Sequence, residues 1–92
     1  MISITLGPRF LRSARKLDVG TRSKVEAALS SVASHFGDLH RHSGLGLRKL
    51  APTLWECRVD IKLRILFIYN EGGLRAYDIM THDELRAWLK QY

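Results

Sequence analysis

Ninety-two residues, 46% of them hydrophobic, suffice for one compact domain over residues 1–92 and leave no room for a second core. The formal charge of +6 sits in two blocks, six basic groups against one acid in residues 1–24 and six against two in residues 41–64, while the rest of the chain is net acidic. Charge so placed favours a polyanion, or an acidic protein covering the same surface. The chain shows no basic leader, no apolar run near the roughly 20 residues of a membrane span, and no second cysteine, so it reads as cytoplasmic, without membrane contact or disulfide.

Ile2, Ile4 and Leu6 alternate with Ser3 and Thr5, which predicts a strand ended by Gly7-Pro8. Pro8 then opens a helix to about Leu17, its apolar stripe being Phe10, Leu11, Ala14 and Leu17. After a break at Asp18-Val19-Gly20 a second helix is expected, capped by Thr21 or by Ser23 with Glu26, burying Val25, Ala28, Leu29, Val32 and Phe36 before Gly37 closes it. The two helices form a hairpin packed on a sheet. Residues 38–46 have turn composition and are expected as a surface loop.

The apolar alternation Trp55, Cys57, Val59 and then Leu63, Ile65, Phe67 defines a β-hairpin. Keeping these side chains on one face pairs Val59 with Leu63, Cys57 with Ile65 and Trp55 with Phe67, around the turn Asp60-Ile61-Lys62. Cys57 is thereby a core residue. The middle strand is apolar on its other face too, at Leu66 and Ile68, so helices should cover part of each face. A turn at Asn70-Glu71-Gly72-Gly73 leads to a third strand from Leu74 to about Met80, in which either register leaves Arg75 or Asp78 on a largely apolar face. Thr81 and Glu84 form a capping box for a short last helix to about Gln91, with Leu85, Trp88 and Leu89 as its stripe. The expectation is an α+β domain with an antiparallel sheet of about four strands.

Most motifs that could carry chemistry are weak. His40 and His42 have only Asp38 and His35 as neighbours of the right type, so they read as solvated loop histidines and no metal or cofactor is expected. Ser43-Gly-Leu-Gly46 lacks the strand before it and the Lys-Ser/Thr after it that a phosphate loop needs. No serine or cysteine has a base in register for nucleophilic attack.

What remains is a cluster of bases. The hairpin register sets Arg58 opposite Arg64, and like charges on such neighbours are destabilising by up to about 1 kcal/mol unless an anion sits between them. Arg48 and Lys49 lead into the hairpin, Lys62 lies in its turn, and the meander brings His82 to the same end. Guanidinium groups grip phosphate and stabilise extra charge in a transition state, while histidine moves protons near neutral pH. The competing reading pairs Arg64 with Glu56 or Asp60 and leaves His82 as an exposed helix-start residue.

In order and spacing, Gly46-Leu-Arg-Lys-Leu50, Leu54-Trp-Glu-Cys-Arg-Val59 and Leu63-Arg-Ile-Leu-Phe67 resemble the RelE/ParE toxin superfamily of bacterial type II toxin–antitoxin modules. Asp78-Ile-Met-Thr-His-Asp-Glu-Leu85 is similar to the strand-to-helix junction of RelE-like members, so the resemblance spans nearly the whole chain. It implies a RelE-like fold, an antitoxin partner, and a ribosome-associated endoribonuclease that cuts mRNA by 2′-hydroxyl attack without a metal. Arg64 then matches the family's middle-strand arginine, Arg58 a basic position on the strand before it, and His82 an acid/base position, the three forming the catalytic set. Arg48, Lys49, Lys62 and Arg86 become RNA contacts, with Arg86 standing where many relatives carry a tyrosine. Two other implications are a ParE-like protein that blocks DNA gyrase without cleavage, and an RNA-binding relative with weakened turnover.

Overall fold

The computed structural model describes residues 1–92. The elements run β1 (Ser3–Leu6), α1 (Pro8–Arg15), α2 (Val19–His35), α3 (Leu39–Leu45), β2 (Leu47–Ala51), β3 (Leu54–Arg58), β4 (Leu63–Asn70), β5 (Gly73–Thr81) and α4 (His82–Gln91). One five-stranded sheet has the order β1-β5-β4-β3-β2. The α+β architecture stands as expected, with two differences: β2 adds a fifth strand, and β1 pairs with β5 in parallel. β2 is hard to read because it is short and shifts register between Lys49 and Ala51, where Pro52 ends the alternation.

The hairpin has the register that its apolar face requires, Trp55 opposite Phe67, Cys57 opposite Ile65 and Arg58 opposite Arg64. The Val59 N–H donates to the Leu63 carbonyl at 2.9 Å and closes the three-residue turn. Inside it the Asp60 carboxylate accepts from the backbone N–H groups of Lys62 and Leu63, both at 2.8 Å. The Leu63 N–H is the main cause that holds this carboxyl below the usual aspartate range.

Two apolar layers flank the sheet. Phe10 of α1 and Val25 and Val32 of α2 meet Cys57, Ile65, Phe67 and Ile79 on one face, while Leu85 of α4 meets Leu54, Leu66 and Met80 on the other. Leu54, Ile65, Leu66 and Phe67 are completely enclosed, each contributing about 1.5–3 kcal/mol of hydrophobic stabilisation. The conflict expected in β5 is resolved by a bulge: Leu66 opposes Asp78 but Phe67 opposes Ala76, which leaves Tyr77 as an extra residue. Leu74, Ala76 and Ile79 can then share one core. Asp78 accepts from the Ser13 hydroxyl at 2.6 Å and from the Ile79 N–H at 2.8 Å.

Two local expectations need correction. Helix α2 starts at Val19, where Asp18 is the cap and accepts from the Thr21 N–H at 2.7 Å, so neither Thr21 nor Ser23 caps it. Residues 38–46 are a helix rather than a loop, because α3 fits between Asp38 and Gly46, whose left-handed φ of 68° ends it. His42 anchors α3: it is buried against Phe36 and Trp55, and its Nε2 accepts from the Gly37 N–H at 3.0 Å. The capping box of α4 is present, with Thr81 Oγ1 accepting from the Glu84 N–H at 3.1 Å and Glu84 Oε1 accepting from the Thr81 N–H at 2.8 Å. No helix is long and apolar enough to cross a membrane.

Candidate functional site

Helix α4 covers β4, β5 and the Leu54 end of β3, so its face of the sheet stays open around Arg48, Glu56, Arg58 and the start of β4. Leu54, Glu56 and Arg58 alternate onto this face of β3, with Arg48 opposite Glu56 and Arg64 opposite Arg58. The result is a cleft of about 550 Å³ floored by Arg48, Glu56, Arg58 and Arg64 and reached by His82. Helix α3 forms its wall through Leu39, His42 and Ser43.

His82 is brought there by the hairpin turn, since its N–H donates to the Lys62 carbonyl at 3.1 Å and ties the start of α4 to the end of the hairpin. The backbone of Arg58 is fixed by a hydrogen bond from its N–H to the Gly46 carbonyl at 3.2 Å. A side chain at Gly46 would place its Cβ 2.8 Å from the Arg58 Cβ, so glycine serves both the turn out of α3 and the approach to β3.

The two arginines of the hairpin differ in freedom. Arg64 Nη1 donates to the carbonyls of Asp60 (2.9 Å), Leu63 (3.2 Å) and Ile61 (3.3 Å), and Nε lies 3.6 Å from Glu56 Oε1. Its side chain is only 15% exposed, so it is a fixed cation with one edge turned to the cleft. Arg58 is exposed, and no carboxylate lies within 4 Å of it, both ion pairs of the chain being made by Glu56. Arg48 reaches Glu56 Oε2 through Nη2 at 2.7 Å and Nε at 3.1 Å. Three guanidinium groups against one carboxylate leave the cleft positively charged, the arrangement that binds a phosphodiester.

Glu56 is the residue that the reading of the sequence missed as part of the site, having treated it only as an alternative partner for Arg64. It alternates with Arg58 and faces Arg48, so register alone would have set it among the arginines. Its side chain is 6% exposed and has a guanidinium near each oxygen, so it acts as an anchor. Glu56→Gln is expected to lower stability by about 1–2 kcal/mol, a modest value because Arg48 is 70% exposed and well solvated. Thermal unfolding of this variant checks the anchoring role, and an unchanged midpoint would contradict it.

The remaining basic residues fall elsewhere. Lys49 pairs with Trp55 and shares its face, opposite to the cleft. Lys62 is exposed in the hairpin turn, beside the cleft but not lining it. Arg86 is exposed one helical turn beyond His82 and also lies outside the lining. Cys57 points into the core, where burial pushes its thiol up to about 11, Glu56 adding to the rise and Arg64 opposing it.

No protein-family model matches the chain, and neither does any curated protein sequence. Solved structures do match. The archaeal RelE–RelB complex from Pyrococcus horikoshii OT3 aligns with a TM-score of 0.69 at 10% identity, covering 87% of this chain and 93% of that one. The YoeB dimer from Staphylococcus aureus gives 0.67 at 18% identity, with 88% and 97% covered. The DinJ–YafQ toxin–antitoxin complex of E. coli gives 0.67 at 13%, with 91% and 96% covered. The chain therefore has the RelE-like fold.

Proposed function

We propose that this chain is the toxin of a type II toxin–antitoxin pair, and that it is an endoribonuclease which cuts mRNA on the ribosome without a metal. The observation that carries the reading is the convergence of Arg58, Arg64 and His82 on one open, positively charged cleft. The fold shared with RelE, YoeB and YafQ supports the toxin half of the statement.

Cleavage proceeds by attack of a ribose 2′-oxygen on the adjacent phosphorus, giving a pentacoordinate phosphorane that carries extra negative charge. Arg58 and the open edge of Arg64 bind the non-bridging oxygens and stabilise that charge. His82, at the cleft mouth, moves a proton in the same step, either from the 2′-hydroxyl or to the departing 5′-oxygen. The products are a 2′,3′-cyclic phosphate and a 5′-hydroxyl. Arg48 holds the neighbouring backbone, with Lys62 at the rim, while Lys49 and Arg86 contact RNA outside the cleft. A cognate antitoxin would silence the enzyme by covering the cleft with acidic groups, as its charge invites. Such an enzyme works in the cytoplasm, where translating ribosomes present the message.

Inducing the chain alone in growing bacteria is expected to arrest growth and to leave fresh cuts inside translated codons, both relieved by the antitoxin. Persistent DNA damage with intact transcripts would instead make it a gyrase-blocking toxin. Folded protein with neither effect would leave an RNA-binding relative without turnover.

A further inference from the structure

The basic block of residues 1–24 takes no part in the cleft described above. Arg9 and Arg12 of α1 meet Arg75 of β5 around a separate cleft of about 350 Å³, closed by Gly7, Pro8 and Tyr77. No carboxylate lies within 4 Å of these guanidinium groups, since both ion pairs in the chain belong to Glu56. Arg75 lies so close to Gly7 that a Cβ there would be 3.2 Å from its Nε. Three uncompensated like charges held together in this way repel one another, and an anion relieves the repulsion.

The cleft also has an aromatic border. The Arg9 guanidinium lies 5.6 Å from the centre of the Tyr77 ring, Tyr77 lies 5.5 Å from Trp88, and Trp88 stacks on Tyr92 at 5.2 Å. Tyr92 is 69% exposed and presents a ring to solvent. Acidic peptides would use the arginines but have little use for a row of rings. Single-stranded nucleic acid uses both, phosphates on guanidinium groups and bases on aromatic faces.

Arg75 stands opposite Ile68 and Arg64 opposite Met80, and Ile68 and Met80 both belong to the apolar layer under α4. Arg75 therefore shares the α4 face of the sheet with Arg64, while Arg9 and Arg12 reach it from α1, and α4 carries exposed Arg86 and Lys90 on that face.

We propose that the Arg9/Arg12/Arg75 cleft and the Tyr77–Trp88–Tyr92 row form a second binding surface for single-stranded RNA, a choice of ligand that rests on the nuclease reading. The test is fluorescence anisotropy with a short, dye-labelled, 2′-O-methylated oligoribonucleotide, which cannot be cleaved, titrated across salt concentrations. Replacing all three residues (R9Q, R12Q and R75Q together) should flatten the plot of log affinity against log salt by about 2, since each phosphate contact contributes roughly 0.7 on a single strand. Tyr92→Ala should weaken binding by about tenfold on that oligonucleotide and leave an abasic strand unaffected. These residues are exposed, so thermal unfolding of the variants should match the parent and exclude misfolding as the cause.

An unchanged salt slope in the triple variant overturns the proposal. So does a triple variant that loses poly-glutamate binding while Tyr92→Ala leaves RNA binding intact, which would make the cleft a seat for an acidic protein segment. Cleavage by the Arg58→Ala variant tests the nuclease reading separately, because that substitution leaves this second surface whole.

Discussion

Arg58→Ala is expected to slow cleavage of ribosome-bound mRNA by about 10²–10³-fold while leaving thermal unfolding unchanged. Activity and stability separate here because Arg58 is exposed and has no internal ion pair. Its removal also relieves repulsion with Arg64, its direct cross-strand neighbour. Arg64→Ala should cost a similar factor in cleavage, but with some loss of stability, because Arg64 bonds to three carbonyls of the hairpin turn and lies beside Glu56. Arg58→Lys should recover only part of the rate, since an ammonium group is a point charge and cannot hold two phosphate oxygens as a guanidinium fork does. Unimpaired cleavage by both alanine variants would remove the hairpin from the mechanism.

His82→Gln is expected to slow cleavage by about 10²–10⁴-fold, the range for removal of a group that transfers a proton in the transition state. The substitution leaves its surroundings in place. The contact of residue 82 with Lys62 uses the backbone N–H, and the cap of α4 is made by Thr81 and Glu84, so neither depends on the imidazole. A substrate whose 5′-oxygen is replaced by sulfur identifies the role, because thiolate departs without a proton. If His82 is the general acid, the variant should cleave that substrate at nearly the parent rate. An equal loss on both substrates assigns His82 to the base, and no loss on either removes it from the chemistry.

The hairpin and its register were legible in the sequence because a single slip would turn every apolar side chain of the strand to the wrong face. The capping box of α4 was legible for a similar reason, two reciprocal hydrogen bonds at a fixed spacing. Helix α3 was not, because in seven residues with a glycine it has no apolar stripe, and its anchor is a histidine whose burial depends on Phe36 and Trp55 from other elements. Asp18 was passed over as a cap because Val19-Gly20 reads as a break, although it forms the first turn of α2. In the site, strand order brought Arg48, Arg58, Arg64 and His82 together as expected, while Lys49 went to the other face by the alternation of β2. The difference between a tethered Arg64 and a free Arg58 depends on where the carbonyls of the turn point, which no spacing rule contains.

The most direct measurement is end-group analysis of a defined mRNA incubated with the purified protein and translating ribosomes. Fragments that end in a 2′,3′-cyclic phosphate and begin with a 5′-hydroxyl, absent with Arg58→Ala protein, are the predicted result. Intact mRNA with the parent protein, or fragments ending in a free 3′-hydroxyl, would contradict cleavage by 2′-oxygen attack at this cleft.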